Sequence, residues 1–73
     1  SNLTKLNCDN NEITQLNNLP PNLESLSCNN NEITQLNNLP LNLKYLDCKN
    51  NNLKYTFTPT IENIRSYNKK TKN

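Results

Sequence analysis

Asn10 to Pro20 reads NNEITQLNNLP, and Asn30 to Pro40 reads NNEITQLNNLP again. The copies stand 20 residues apart, and the rest of the 73-residue chain falls into that register. Self-similarity at a fixed period of about 20 residues marks stacked repeats, each too small to bury its own apolar face. Set on this period, the chain gives four lines. They are NLTKLNCDNNEITQLNNLPP from Asn2, NLESLSCNNNEITQLNNLPL from Asn22, NLKYLDCKNNNLKYTFTPT from Asn42, and the partial IENIRSYNKKTKN from Ile61.

The expected organisation is one small domain over residues 1–68, with repeats at 2–21, 22–41 and 42–60 and a partial repeat at 61–68. A basic tail over 69–73 follows, expected to be solvated and frayed. The chain starts Ser1-Asn2 without Met, as a fragment or a processed chain would, and a face this small implies either further repeats or an assembly of copies.

Composition leaves a competing reading open at first. Asparagine makes up 19 of the 73 residues, as in Asn-rich disordered segments. Against disorder, the leucines and isoleucines recur at fixed offsets instead of being scattered. Within each line Leu6 and Cys8, Leu26 and Cys28, or Leu46 and Cys48 alternate with a period of two, which predicts a short strand. Successive lines then stack these strands in parallel. Ile61 and Ile64 are expected to continue the pattern as a fourth strand, with Ser66 in the Cys place and Lys69 in the Asn place.

Asn11, Asn31 and Asn51 hold one position in three successive lines. A carboxamide carries two donors and an acceptor, so stacked Asn side chains can bond the turning backbone of their own and adjacent lines. Beyond them, Ile13, Leu16 and Leu19 are spaced by three, but the segment runs into Pro20 and Pro21. Proline restricts itself and its predecessor, which predicts extended, polyproline-like or 3-10 backbone and little or no α-helix. Line three loses a leucine at Thr56, where Tyr55 or Phe57 is expected to fill the core. Neither end shows a polar capping element.

The consensus LxxLxCxxNxIxxLxxLPxx resembles the leucine-rich repeat family, whose pattern it matches with Cys in the third apolar place over residues 2 to about 53. Its short period and trailing Leu-Pro are similar to the repeats of bacterial secreted effectors, and Asn-rich versions of such repeats occur in giant DNA viruses. The resemblance implies a leucine-rich-repeat solenoid with a parallel sheet of about four short strands on its concave side. It also implies an asparagine ladder at Asn11, Asn31 and Asn51, and a partner-binding concave surface.

Lines one and two agree at 15 of 20 positions. The differences are Thr4/Glu24, Lys5/Ser25, Asn7/Ser27, Asp9/Asn29 and Pro21/Leu41, four of them at outward positions around the strand. Drift at exposed sites would also produce this. Yet Gln15, Asn17 and Asn18, expected to be exposed as well, are unchanged. The expected partner-binding residues are therefore Lys5, Asn7, Glu24, Ser27, Lys44, Tyr45, Asp47, Lys49, Arg65 and Tyr67. Tyr45 is the leading anchor, since Tyr and Arg concentrate binding energy; its bland alternative is a scaffold residue covering its neighbours.

Other functions find less support. There is no His, no Gly-rich loop and no nucleophile beside a base, so no catalytic residue is assigned and the protein is not expected to be an enzyme. No cofactor is implied. Cys8, Cys28 and Cys48 are odd in number and lack metal-ligand spacing, so they read as small buried hydrophobes and no metal is expected. Reduced thiols favour an intracellular setting, whereas the likeness to effector repeats points to secretion. No apolar run is long enough to span a membrane.

Residues 1–41 hold one Lys against four acids, a net of −3, and residues 42–73 hold seven Lys and Arg against two, a net of +5. Lys44, Tyr45, Lys49, Arg65 and Tyr67 loosely fit a nucleic-acid patch, but the total charge is only +2. A protein partner is the first expectation. The alternative is a structural or self-associating repeat without a specific ligand, its uncapped ends stacking head to tail.

Overall fold

A computed structural model describes residues 2–71. Three strands, β1 (Lys5–Asn7), β2 (Ser25–Ser27) and β3 (Tyr45–Asp47), form one parallel sheet in the order β1-β2-β3. Lys5 pairs with Ser25 and Ser25 with Tyr45, each step being the 20-residue period of the sequence. One helix, α1 (Ile61–Thr71), follows the sheet.

The core is centred on line two, which has a neighbour on both sides. Leu23, Leu26, Cys28, Ile33 and Leu36 are buried, and Leu39, Leu43 and Ile64 complete the cluster. Their counterparts in line one, Leu6, Cys8, Ile13, Leu16 and Leu19, are only partly buried against it. Leu3 remains 44% exposed where Leu23 in the same place is 0% exposed.

Tight turns join these segments without a single glycine in the chain. Asn10, Asn30 and Asn50 take φ of 61°, 59° and 55°, and Asn18 and Asn38 take 56° and 54°. Left-handed backbone costs an ordinary L-residue about 1–2 kcal/mol, and Asn is among the few that visit it routinely. Part of the asparagine excess therefore has a backbone cause. No helix forms in the segments that lead to Pro20 and Pro40.

The fourth strand is replaced by α1, and an 11-residue helix stands where little or none was expected. Three local causes favour it. Thr60 caps the helix, its Oγ1 accepting the Asn63 N–H at 3.1 Å. Glu62 lies in the first turn and Lys69 and Lys70 in the last, each sign complementing the helix dipole. Ile61 and Ile64, spaced by three, suit one helical face as well as the Leu3 and Leu6 places of a repeat line, and Lys69 offers no carboxamide to hold another line. Buried Ile64 then packs against the core beyond β3. That end, expected to be bare, carries a closing element.

The helix also crosses the expected start of the basic tail. Lys69 and Lys70 are helical, and Thr71 Oγ1 donates to the Tyr67 carbonyl at 3.0 Å. Lys72 and Asn73 lie outside the described residues. The place vacated at Thr56 is filled by both candidate rings: Tyr55 stacks on Phe57 at 4.8 Å, and Tyr67 of α1 meets Tyr55 edge-on at 5.3 Å.

Candidate functional site

Three columns of asparagine and aspartate side chains fix the frame on which the sheet face is displayed. In the innermost column, Asn31 Nδ2 donates to the Cys28 carbonyl at 3.1 Å and the Asn29 carbonyl at 3.1 Å in its own line. It also reaches the Cys8 carbonyl of the preceding line at 3.0 Å, while its Oδ1 accepts the Ile13 N–H at 3.1 Å. Asn51 repeats this one line later, with the Cys28 carbonyl at 2.9 Å and the Ile33 N–H at 3.0 Å. Asn11 bonds the Cys8 and Asp9 carbonyls of its own line at 2.9 and 3.1 Å.

The second column was not legible as a ladder beforehand. Asn30 Nδ2 donates to Asn10 Oδ1 at 2.7 Å, and Asn50 Nδ2 to Asn30 Oδ1 at 2.8 Å. The third runs through Asp9, Asn29 and Lys49. Asp9 Oδ1 accepts the Asn29 N–H at 2.7 Å and the Ser27 hydroxyl at 2.8 Å, and Asn29 Oδ1 accepts the Lys49 N–H at 2.7 Å. Asp9 and Asn29, which share one of the outward positions that vary between lines, thus spend acceptors on holding neighbouring lines together. The doublets Asn10-Asn11, Asn30-Asn31 and Asn50-Asn51 mark the positions without telling a bonding asparagine from one that only shapes the turn.

On this frame the strand side chains form two short columns. Lys5, Ser25 and Tyr45 make one, and Asn7, Ser27 and Asp47 the other. Glu24 and Lys44 stand one residue before β2 and β3. The Glu24 carbonyl accepts the Lys44 N–H at 2.8 Å and the Tyr45 N–H at 3.1 Å, which fixes the approach of β3. Tyr45 is 69% exposed. Lys49 Nζ lies 3.9 Å from Asp47 Oδ1, an exposed pair of small energetic weight.

An open groove of about 840 Å³ lies over β2, β3 and the start of α1. Ser27, Lys44, Tyr45, Asp47 and Lys49 line it, joined by Glu62. Glu62 reaches it from the first turn of α1. Lys5, Asn7 and Glu24 do not line the groove.

Arg65 and Tyr67 are elsewhere. The Arg65 guanidinium donates to the Pro40 carbonyl, and Tyr67 sits in the ring cluster with Tyr55 and Phe57. The helix carries both away from the strand face on which they were expected. The helix is fastened further by Asn68 Nδ2, which donates to the Leu36 carbonyl at 3.0 Å, while Tyr55 Oη of line three accepts the Leu36 N–H at 2.8 Å.

The three thiols are free, with Cys28 buried and Cys8 and Cys48 half-buried. Burial pushes the Cys28 thiol from 9.0 up to about 12, with Cys48, Cys8, Asp9 and Asp47 adding repulsion toward a thiolate. Burial likewise raises Cys8 and Cys48, with Asp9 and Asp47 respectively as further causes. Such thiols are poor nucleophiles and poor metal ligands near neutral pH.

A folded-state pKa above the unfolded one favours the fold while the thiol is neutral. The stabilisation from Cys28 is therefore full below about pH 9 and is lost as pH rises toward about 12. At pH 8 an alkylating reagent is expected to modify Cys8 and Cys48 well before Cys28, with all three reacting together once urea unfolds the chain. Peptide mass analysis of a time course reads this directly; early modification of Cys28 in the native protein would contradict its placement.

Comparison with protein-family models, with curated proteins and with solved structures found no match.

Proposed function

We propose that the chain is a leucine-rich-repeat solenoid serving as a protein–protein interaction module, with no catalytic activity and no cofactor. Its partner sits on the sheet face around Tyr45, in contact with Lys44, Ser27, Asp47, Lys49 and Glu62. One observation carries the reading: lines one and two repeat the asparagines at 10/30 and 11/31 whose columns hold the stack, yet differ at Lys5/Ser25 and Asn7/Ser27, which face outward in paired columns. A conserved frame beneath a varied face is what a recognition surface requires. Tyr45 supplies area and a polar tip at low entropic cost, flanked by charges of both signs.

The face is small. Three strands at about 4.8 Å by three residues at about 3.3 Å span roughly 140 Å² in plan, against about 800 Å² per partner in a standard interface. Affinity for a protein is therefore expected to be weak unless the partner also reaches the flanking turns. Nucleic acid is a weaker reading, because Arg65 and Tyr67 stand apart from Lys44, Tyr45 and Lys49; it would show as affinity falling steeply with salt.

The test compares proteins retained by the immobilised chain with those retained by a Tyr45→Ala, Lys44→Ala double variant. Both side chains are exposed, so the variant is expected to keep its unfolding midpoint within about 0.5 kcal/mol of stability. Partners held by the parent and lost from the equally stable variant support the proposal. Identical retention by the two refutes it.

A further inference from the structure

Each line offers its successor the same backbone groups. The Thr4 carbonyl accepts the Glu24 N–H at 2.8 Å and the Ser25 N–H at 3.0 Å, and the Glu24 carbonyl accepts the Lys44 N–H at 2.8 Å and the Tyr45 N–H at 3.1 Å. The Lys44 carbonyl holds the same place in line three and accepts no hydrogen bond among the described residues. The Tyr45 N–H and the Asp47 carbonyl both bond back to line two. In a parallel ladder the N–H and C=O of Leu46, between them, therefore point away from line two. The sheet ends at β3 because α1 follows where a fourth strand would lie and does not pair with it. This edge is open in the interior of the sequence, with described residues on both sides of it.

The groove of about 840 Å³ runs along that edge, and Leu46, Pro59 and Ile61 give it apolar lining. On the reading that a partner occupies the face around Tyr45, we infer that it is held as an extended peptide, added in parallel to β3 as β3 is added to β2. The stack itself shows what covers such an edge, since the same groups of line two are covered by a parallel strand. Main-chain groups supply the attachment, and alternate side chains the selectivity.

In the β2–β3 register, three peptide residues fall beside Tyr45, Leu46 and Asp47. The middle one points inward to the lining of the groove and is apolar. The third is not acidic, because like charges on adjacent strands oppose pairing. The site is short: the Pro59 carbonyl lies 3.9 Å from Cys48 Sγ and closes its far end.

Residues 22–27 of the chain, NLESLS, meet these requirements, with Leu26 inward between Ser25 and Ser27. The probe is a synthetic peptide of that sequence, acetylated and amidated, titrated into the nitrogen-15-labelled chain. A contact this small implies a Kd of about 0.1–1 mM, so the titration runs to about 5 mM. Two singly N-methylated forms locate the contact. In parallel pairing the peptide's Ser27 N–H donates to the Leu46 carbonyl of the chain, and its Leu26 N–H points away from β3.

Methylation at Ser27 is expected to weaken binding about tenfold or more, and methylation at Leu26 to leave it within about threefold. The Leu46 amide proton is expected to move downfield as it gains an acceptor. That pattern supports strand addition. No binding by 5 mM, equal weakening by the two methyl groups, or the same shifts on concentrating the chain alone overturns it. Capture by the Tyr45→Ala, Lys44→Ala variant is read separately. If that variant loses its partners while the peptide fails, strand addition alone is lost and the binding face stands.

Discussion

Replacing Asn31 with alanine is expected to lower stability by about 3–4 kcal/mol, most of what a domain this small possesses. The side chain is 7% exposed and serves two lines at once. Its loss strands the Ile13 N–H and weakens the hold on the Cys8, Cys28 and Asn29 carbonyls. Each buried backbone group left unpaired costs about 1–3 kcal/mol, and water has little access to replace the amide. Asn11→Ala is the internal comparison, since Asn11 is exposed and bonds only its own line. Its expected cost is about 1 kcal/mol. Urea midpoints at constant slope measure both. Equal costs would mean that the bonds between lines carry no weight, and the stack would need another explanation.

Ile64→Ala is expected to be nearly as severe. Ile64 is fully buried and is the residue through which α1 closes the core. Large-to-small changes at such a site cost about 2–5 kcal/mol, because the cavity adds to the lost burial. A cost of about 3 kcal/mol in a domain this size lowers the thermal midpoint by roughly 12–24 °C. The neighbouring solvent-facing change Glu62→Gln is expected to move it little, as it removes only part of a dipole interaction worth about 0.3–1 kcal/mol. Thermal unfolding followed by far-ultraviolet circular dichroism decides the matter. A small effect of Ile64→Ala would show that α1 is an appendage and that the core ends at line three.

These two residues also mark where sequence reading succeeds and fails. The positions of the three strands follow from the spacing of Leu6, Leu26 and Leu46, because a stack of equal lines allows only one register. The carboxamides at Asn11, Asn31 and Asn51 were conspicuous because they recur at that spacing with constant chemistry. The helix was hidden because Ile61 and Ile64, three apart, fit the Leu3 and Leu6 places of the repeat as well as one face of a helix, and so short a run does not separate the two. The deciding information lay in the flanks: Thr60 as cap, Glu62 in the first turn, and Lys69 where the repeat requires Asn.

The same error propagated to the candidate site. Arg65 and Tyr67 were placed on the sheet face by extending the register one line too far, whereas Glu62 reaches the groove from the helix. Within the unbroken register, Ser27, Tyr45, Asp47 and Lys49 come together as the alternation of strand faces requires, and Lys44, one residue before β3, joins them from outside that alternation. The Asn10, Asn30 and Asn50 column was missed for a different reason. Positive φ at those residues follows from the turn, and in a chain without glycine nothing in the sequence separates a conformational asparagine from a bonding one.

The fold and its exposed sheet face require that consecutive 20-residue lines lie side by side, and not only that they repeat in sequence. The most direct measurement is a proton nuclear magnetic resonance map of contacts in the 73-residue chain, with backbone carbon shifts. The account expects close backbone contacts linking Leu6 to Leu26 and Leu26 to Leu46 in parallel register, slow amide exchange at Cys28 and Ile33, and helical shifts from Ile61 to Thr71. Random-coil shifts throughout, with no contact between residues 20 apart, would contradict it.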